Sequence, residues 1–124
     1  MSVEKTACFG QCPIYIIELD GVGGVNLEGK RFVDNIGEST AVLKSDDMTK
    51  LVVLSNTADW KAYDSEYLTG YSDLPSTIVR YSKKAGDTSE VRYESDKAPV
   101  TLRLIAESMD SLRKVTDWHS TVLD

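Results

Sequence analysis

From Pro13 to Leu19 the chain reads as a strand with apolar residues on both sides. Ile14 and Ile16 point one way, and Tyr15, Ile17 and Leu19 the other. Asp20-Gly21-Val22-Gly23-Gly24 is a glycine-rich reversal, because glycine tolerates the positive φ that tight turns need. Shorter strands are expected at Val25 to Glu28, Arg31 to Ile36 and Thr40 to Leu43, with breaks at Gly29-Lys30 and Gly37. The period then changes. Met48, Leu51, Val52 and Ser55 fall at i, i+3, i+4 and i+7, the signature of a helix with one buried face. Ser45 is placed to cap it, and Asp46 and Asp47 sit at the positive end of its dipole. The helix is expected to stop near Asn56-Thr57.

A tyrosine-bearing, polar connection follows from Asp64 to Leu74, with Trp60 and Tyr63 ahead of it tucking a short turn onto the core. Connections of this length are often functional. Ser76 to Ser82 is expected to be a strand with Thr77, Val79 and Tyr81 on one face. Lys84-Ala85-Gly86-Asp87 turns it into another, Thr88 to Glu94, with Val91 and Tyr93 facing inward. A last helix carries Leu102, Ile105, Met109, Leu112 and Val115, with Asp96 as its cap and Pro99 in its first turn. The order is ββββαββα. It predicts an α+β fold: an antiparallel sheet of about six strands with two helices packed on one face.

The 124 residues make a single domain, and 41% apolar with 27% charged residues is ordinary globular composition. A net charge of −6 with scattered basic residues lacks the basic stripe that phosphate backbones require, so nucleic acid is not an expected partner. No apolar run reaches the roughly 18 residues of a membrane helix, so no integral membrane segment is expected. The acidity suits a basic protein partner, although it more often only keeps a domain soluble. Met1-Ser2 runs directly into Glu4, Lys5 and Thr6, so no signal peptide is read. That leaves a cytoplasmic protein, or an exported one whose signal was removed.

Cys8-Phe9-Gly10-Gln11-Cys12-Pro13 is the most distinctive stretch. Two cysteines four apart stand ~13 Å apart in an extended chain, too far for a disulfide. Gly10 can supply the turn that closes the gap, and Pro13 holds Cys12 extended into the strand. The favoured reading is a structural disulfide pinning the N-terminus to the sheet. Free buried thiols and a redox pair are the alternatives. Redox pairs more usually sit two apart at a helix start. Zinc needs four ligands, and Cys8, Cys12 and His119 are the only soft or imidazole candidates, so no metal is expected. A Cys-His nucleophilic pair from these residues is equally disfavoured, since His119 is expected just past a helix C-terminus. No phosphate-binding glycine motif is present, and no cofactor or catalytic residue is assigned.

Cys8 to Tyr15 resembles the opening Cys-Phe-Gly-x-Cys-Pro-x-Tyr of a bacterial domain-of-unknown-function family. Gly23, Val25 and Gly29 follow that family's Gly-x-Val-x-Tyr-x-Gly, with Leu27 where the family has an aromatic. Asp73-Leu74-Pro75 and Ala98-Pro99 then match in order. Members are common among exported proteins and lipoproteins, so the resemblance implies a periplasmic or extracellular setting. It implies no activity. The expected function is therefore a non-enzymatic binding or accessory domain. A small acidic inhibitor of a basic partner and a thiol–disulfide redox protein are the competing readings. Trp60, Tyr63, Tyr67, Tyr71 and Asp73 are the candidate partner-binding residues, because aromatics with polar tips are enriched at interfaces.

Overall fold

The computed structural model describes residues 1–8, 10–71, 74–84 and 86–120. It contains β1 (Ser2–Lys5), β2 (Ile14–Leu19), β3 (Gly24–Arg31), β4 (Gly37–Val42), α1 (Ser45–Thr57), β5 (Glu66–Tyr67), β6 (Ser76–Lys84), β7 (Asp87–Glu94), α2 (Val100–Val115) and β8 (His119–Ser120). The strands form one sheet in the order β5-β7-β6-β1-β2-β3-β4-β8. The α+β architecture and the order of its main elements are as expected. The sheet is mixed, however, because β5 runs parallel to β7 while the other neighbours are antiparallel. The chain enters β5 after returning from α1, and the Arg92 N–H donates to the Ser65 carbonyl (2.9 Å).

Four strands do precede α1, but not the four the pattern suggested. Of the segment expected as a strand from Arg31 to Ile36, Arg31 ends β3 and the rest is the turn between β3 and β4. Phe32 there adopts a left-handed backbone, φ 56°. Gly29 permits the close approach of the Asn35 carbonyl, which any side chain at that position would obstruct. Ser2–Lys5 supplies the fourth strand, inserted between β6 and β2 with Val3 opposite both Val79 and Ile17. β1 is thus a central strand, held by antiparallel ladders on both sides.

Strand alternation sorts the side chains onto two faces. Val3, Tyr15, Ile17, Leu19, Val25, Leu27, Val79, Val91 and Tyr93 point to one face. There they join Leu51 of α1 and Leu102, Ile105, Ala106 and Met109 of α2 in a single core. Both helices therefore cover the same face. Neither begins with the expected cap. Lys44, not Ser45, is the cap residue of α1, and Pro99, not Asp96, that of α2; neither cap makes a side-chain bond. Met48 is half-buried, while Val52 and Val115 at the edges of their stripes are exposed.

The opposite face carries no helix. Ile16 and Glu18 of β2, Asn26 and Glu28 of β3, and Glu38, Thr40 and Val42 of β4 alternate onto it. Glu4 of β1 and Ile78 and Arg80 of β6 continue it toward β7.

Candidate functional site

The cysteine motif proves to be a connection closed by a disulfide. Cys8 and Cys12 are bonded with their Cα atoms 5.8 Å apart, and Gly10 between them has φ 136°. The ring bridges β1 to β2. Tyr15, which ends the motif, is fully buried on the helix side of β2. Its hydroxyl donates to Asp110 Oδ1 of α2 (2.6 Å). The same oxygen accepts from Arg113 Nε (3.1 Å) and the terminal guanidinium nitrogen (3.0 Å), and Lys114 stands 3.4 Å from the other carboxylate oxygen. The Arg113 guanidinium also lies over the Tyr15 ring, 4.5 Å from its centre.

Burial and the bond to Asp110 push the Tyr15 phenol far above its ordinary pKa. Partial burial pushes the Asp110 carboxyl up, but the bonds from Tyr15 and Arg113 and the nearby cations outweigh it, so the group stays below the usual range. Lys5, on the same face, donates to Thr77 Oγ1 (2.8 Å) and is held below its ordinary pKa chiefly by desolvation. These groups fix α2 to the motif strand. Their hydrogen-bonding and charge partners are one another and Thr77. His119 lies in β8, beyond β2, β3 and β4 from the disulfide loop, so it makes no pair with either cysteine. Among the described residues, no three His, Cys, Asp or Glu side chains are grouped to hold a metal ion. No helix among them is long and apolar enough to cross a membrane.

The aromatic candidates divide. Trp60 stacks on Tyr81 with ring centres 4.8 Å apart, meets Tyr63 edge-on at 5.9 Å, and donates its indole N–H to the Ser55 carbonyl (3.0 Å). Trp60, Tyr63 and Tyr67 all pack against the core. The Tyr67 hydroxyl accepts the Asp64 N–H (2.9 Å), and its backbone belongs to β5. Tyr71 alone of the set is well exposed, at 76%. It extends from a connection tied down by the Thr69 N–H and hydroxyl, which both donate to Glu94. Asp73 lies outside the described residues.

The sequence pattern did not single out the helix-free face. A recess of about 300 Å³ opens there, lined by Ile16, Glu18, Asn26, Glu28, Glu38 and Thr40. Glu28 and Glu38 are directly opposite on adjacent strands. On the β6 side of the same face Arg80 pairs with Glu4 (3.0 Å) and with Glu90. Strand register is the signal that assembles this surface. Residues 16, 28 and 38 become neighbours only once three strands are aligned.

The molecule is therefore a two-layer α+β domain, with an eight-stranded mixed sheet under two helices and a disulfide loop between its two central strands. A domain of unknown function, DUF6438, matches residues 1–113, and the chain belongs to that family. Among curated proteins, none matches the chain.

Proposed function

We propose that this chain is a non-enzymatic protein-binding or accessory domain that works outside the cytoplasm. The observation that carries the reading is the helix-free face of the sheet, where Ile16 is half-buried and Val42 is 79% exposed. A rigid sheet presenting aliphatic side chains among polar ones suits a partner, because its contact surface is preformed. Tyr71, with Leu68 beside it, offers a second exposed element from the loop end of the sheet. The disulfide supports an extracytoplasmic setting, since such bonds persist in oxidising compartments.

The reading is tested by placing a photo-crosslinking amino acid singly at Asn26, Tyr71 and Val53 in the native host. Asn26 samples the helix-free face, Tyr71 the loop, and Val53 the exposed side of α1. A discrete adduct from position 26 or 71, absent from 53, is the expected result. Identical patterns from all three positions, or none, would overturn it.

A further inference from the structure

We propose that the outer edge of β4 is a self-association surface, on which a second copy of this chain lays its own β4 antiparallel in place of β8. This surface is separate from the helix-free face and needs no foreign partner. The Leu43 N–H donates to the Gly23 carbonyl, so the odd residues of β4 turn their backbone groups to β3 and the even ones turn theirs outward. β8 shows that the edge accepts an antiparallel strand, but among the described residues it covers Ser39 and Thr40 only. It also lies outside residues 1–113, the part matched by the family. The chain reaches β8 from Trp118, whose indole N–H is held by the Arg113 carbonyl (2.9 Å), so β8 can leave the edge without disturbing α2. β4 itself has none of the devices that keep sheet edges apart: no lysine, no proline and no bulge against β3.

The sequence around β4 selects a second copy as the occupant. A twofold axis through Thr40 sets Thr40 against Thr40, Ser39 against Ala41 and Glu38 against Val42. No like charges meet in this register. Moving the axis to Glu38 would set two glutamates opposite each other, which destabilises a sheet. Moving it to Val42 would leave Gly37 to Ser39 without partners. The Thr40 register also carries Ile36, which is 64% exposed, to Leu43 and Lys44 of the second copy. Those two residues line a recess of about 490 Å³ together with Val42, Leu112 and Val115. Each copy therefore offers one unpacked aliphatic side chain and one recess with aliphatic walls, and the twofold axis matches both pairs at once. A second β4 brings six strand residues where β8 brings two, so the exchange is favoured as concentration rises.

The test is sedimentation velocity on the full chain from roughly 10 µM to 1 mM, the range of weak pairs, with circular dichroism to check folding. A reversible monomer–dimer equilibrium is expected. Val42→Lys sets a cation opposite Glu38 twice per dimer and should tighten it roughly two- to thirtyfold, the range for two cross-strand pairs. Val53→Lys makes the same charge change on the exposed side of α1 and should alter the equilibrium by less than about twofold. Ile36→Asp, at an exposed position, should weaken the dimer roughly tenfold or more while leaving the monomer folded. His119→Pro removes the N–H with which β8 meets β4 and should tighten the dimer. Thr40→Pro removes the outward N–H at the axis and should abolish it. Should Thr40→Pro fail to fold, the Val42 and Ile36 variants still decide. A chain that stays monomeric at about 1 mM, with His119→Pro as well as without it, would overturn the inference. Equal effects of Val42→Lys and Val53→Lys, or a dimer indifferent to Ile36→Asp, would overturn it too.

Discussion

Replacing Tyr15 by phenylalanine isolates one bond. The ring stays, and with it the packing and the Arg113 contact at 4.5 Å; only the hydroxyl that donates to Asp110 (2.6 Å) is lost. A hydrogen bond to a charged group contributes about 1.5–3 kcal/mol. The low end is favoured here, since Asp110 keeps two bonds from Arg113 and is not orphaned. With roughly 2.1 cal/mol/K of unfolding entropy per residue, that cost lowers the thermal midpoint by about 6–12 °C. The pH dependence gives a sharper check. Asp110 has a depressed carboxyl pKa in the fold, so its contribution is full above the unfolded value of about 3.9 and is lost as pH falls through the folded value. The gap between wild type and Tyr15→Phe should therefore narrow below about pH 4, toward the ~0.5–1.5 kcal/mol of a neutral bond. Circular-dichroism melts across acid pH read this directly, with Asp110→Asn completing a double-mutant cycle. A Tyr15→Phe cost below about 0.5 kcal/mol, or a gap unchanged by acid, would refute the assignment.

Trp60→Ala should destabilise by about 2–4 kcal/mol through loss of the Tyr81 stack and the Ser55 bond. Tyr71→Ala should change stability by less than about 0.5 kcal/mol, and chemical denaturation compares the two. A costly Tyr71→Ala would place that ring in the core after all. Alkaline titration should also separate the six tyrosines. Burial raises Tyr15 and pushes Tyr93 up to about 12, so their contribution to stability is complete below the unfolded value of about 10 and is lost as pH rises beyond it. Phenolate absorbance should show two of them ionising only as the fold is lost, and six ionising together near pH 10 with the fold intact would contradict this.

β2, β6 and β7 were legible because alternating apolar residues specify strands locally: Ile14 to Leu19, Thr77-Val79-Tyr81, Val91-Tyr93. β1 was not, because Val3 is its only apolar residue. Its polar neighbours are satisfied from afar, Lys5 by Thr77 and Glu4 by Arg80. The two-residue strands β5 and β8 have no local signature; they exist because β7 and β4 offer edges. Phe32 misled in the other direction, since its apolar side chain reads as strand while its backbone is left-handed. The disulfide was readable from Gly10 and the cysteine spacing. The partner of Tyr15 was not, lying 95 residues away.

β1 joins the β6–β7 hairpin to the β2–β3–β4 meander. Arg80 ties Glu4 of β1 to Glu90 of β7 on one side, and Val3 meets Val79 and Ile17 on its two sides. The meander is three strands wide, about 14 Å at ~4.8 Å per strand, and β3, its longest strand, runs about 25 Å. Its flat helix-free area is then roughly 350 Å², well under the ~800 Å² per partner of a standard stable interface. A partner confined to the meander would bind weakly, so a tight partner must reach past these three strands.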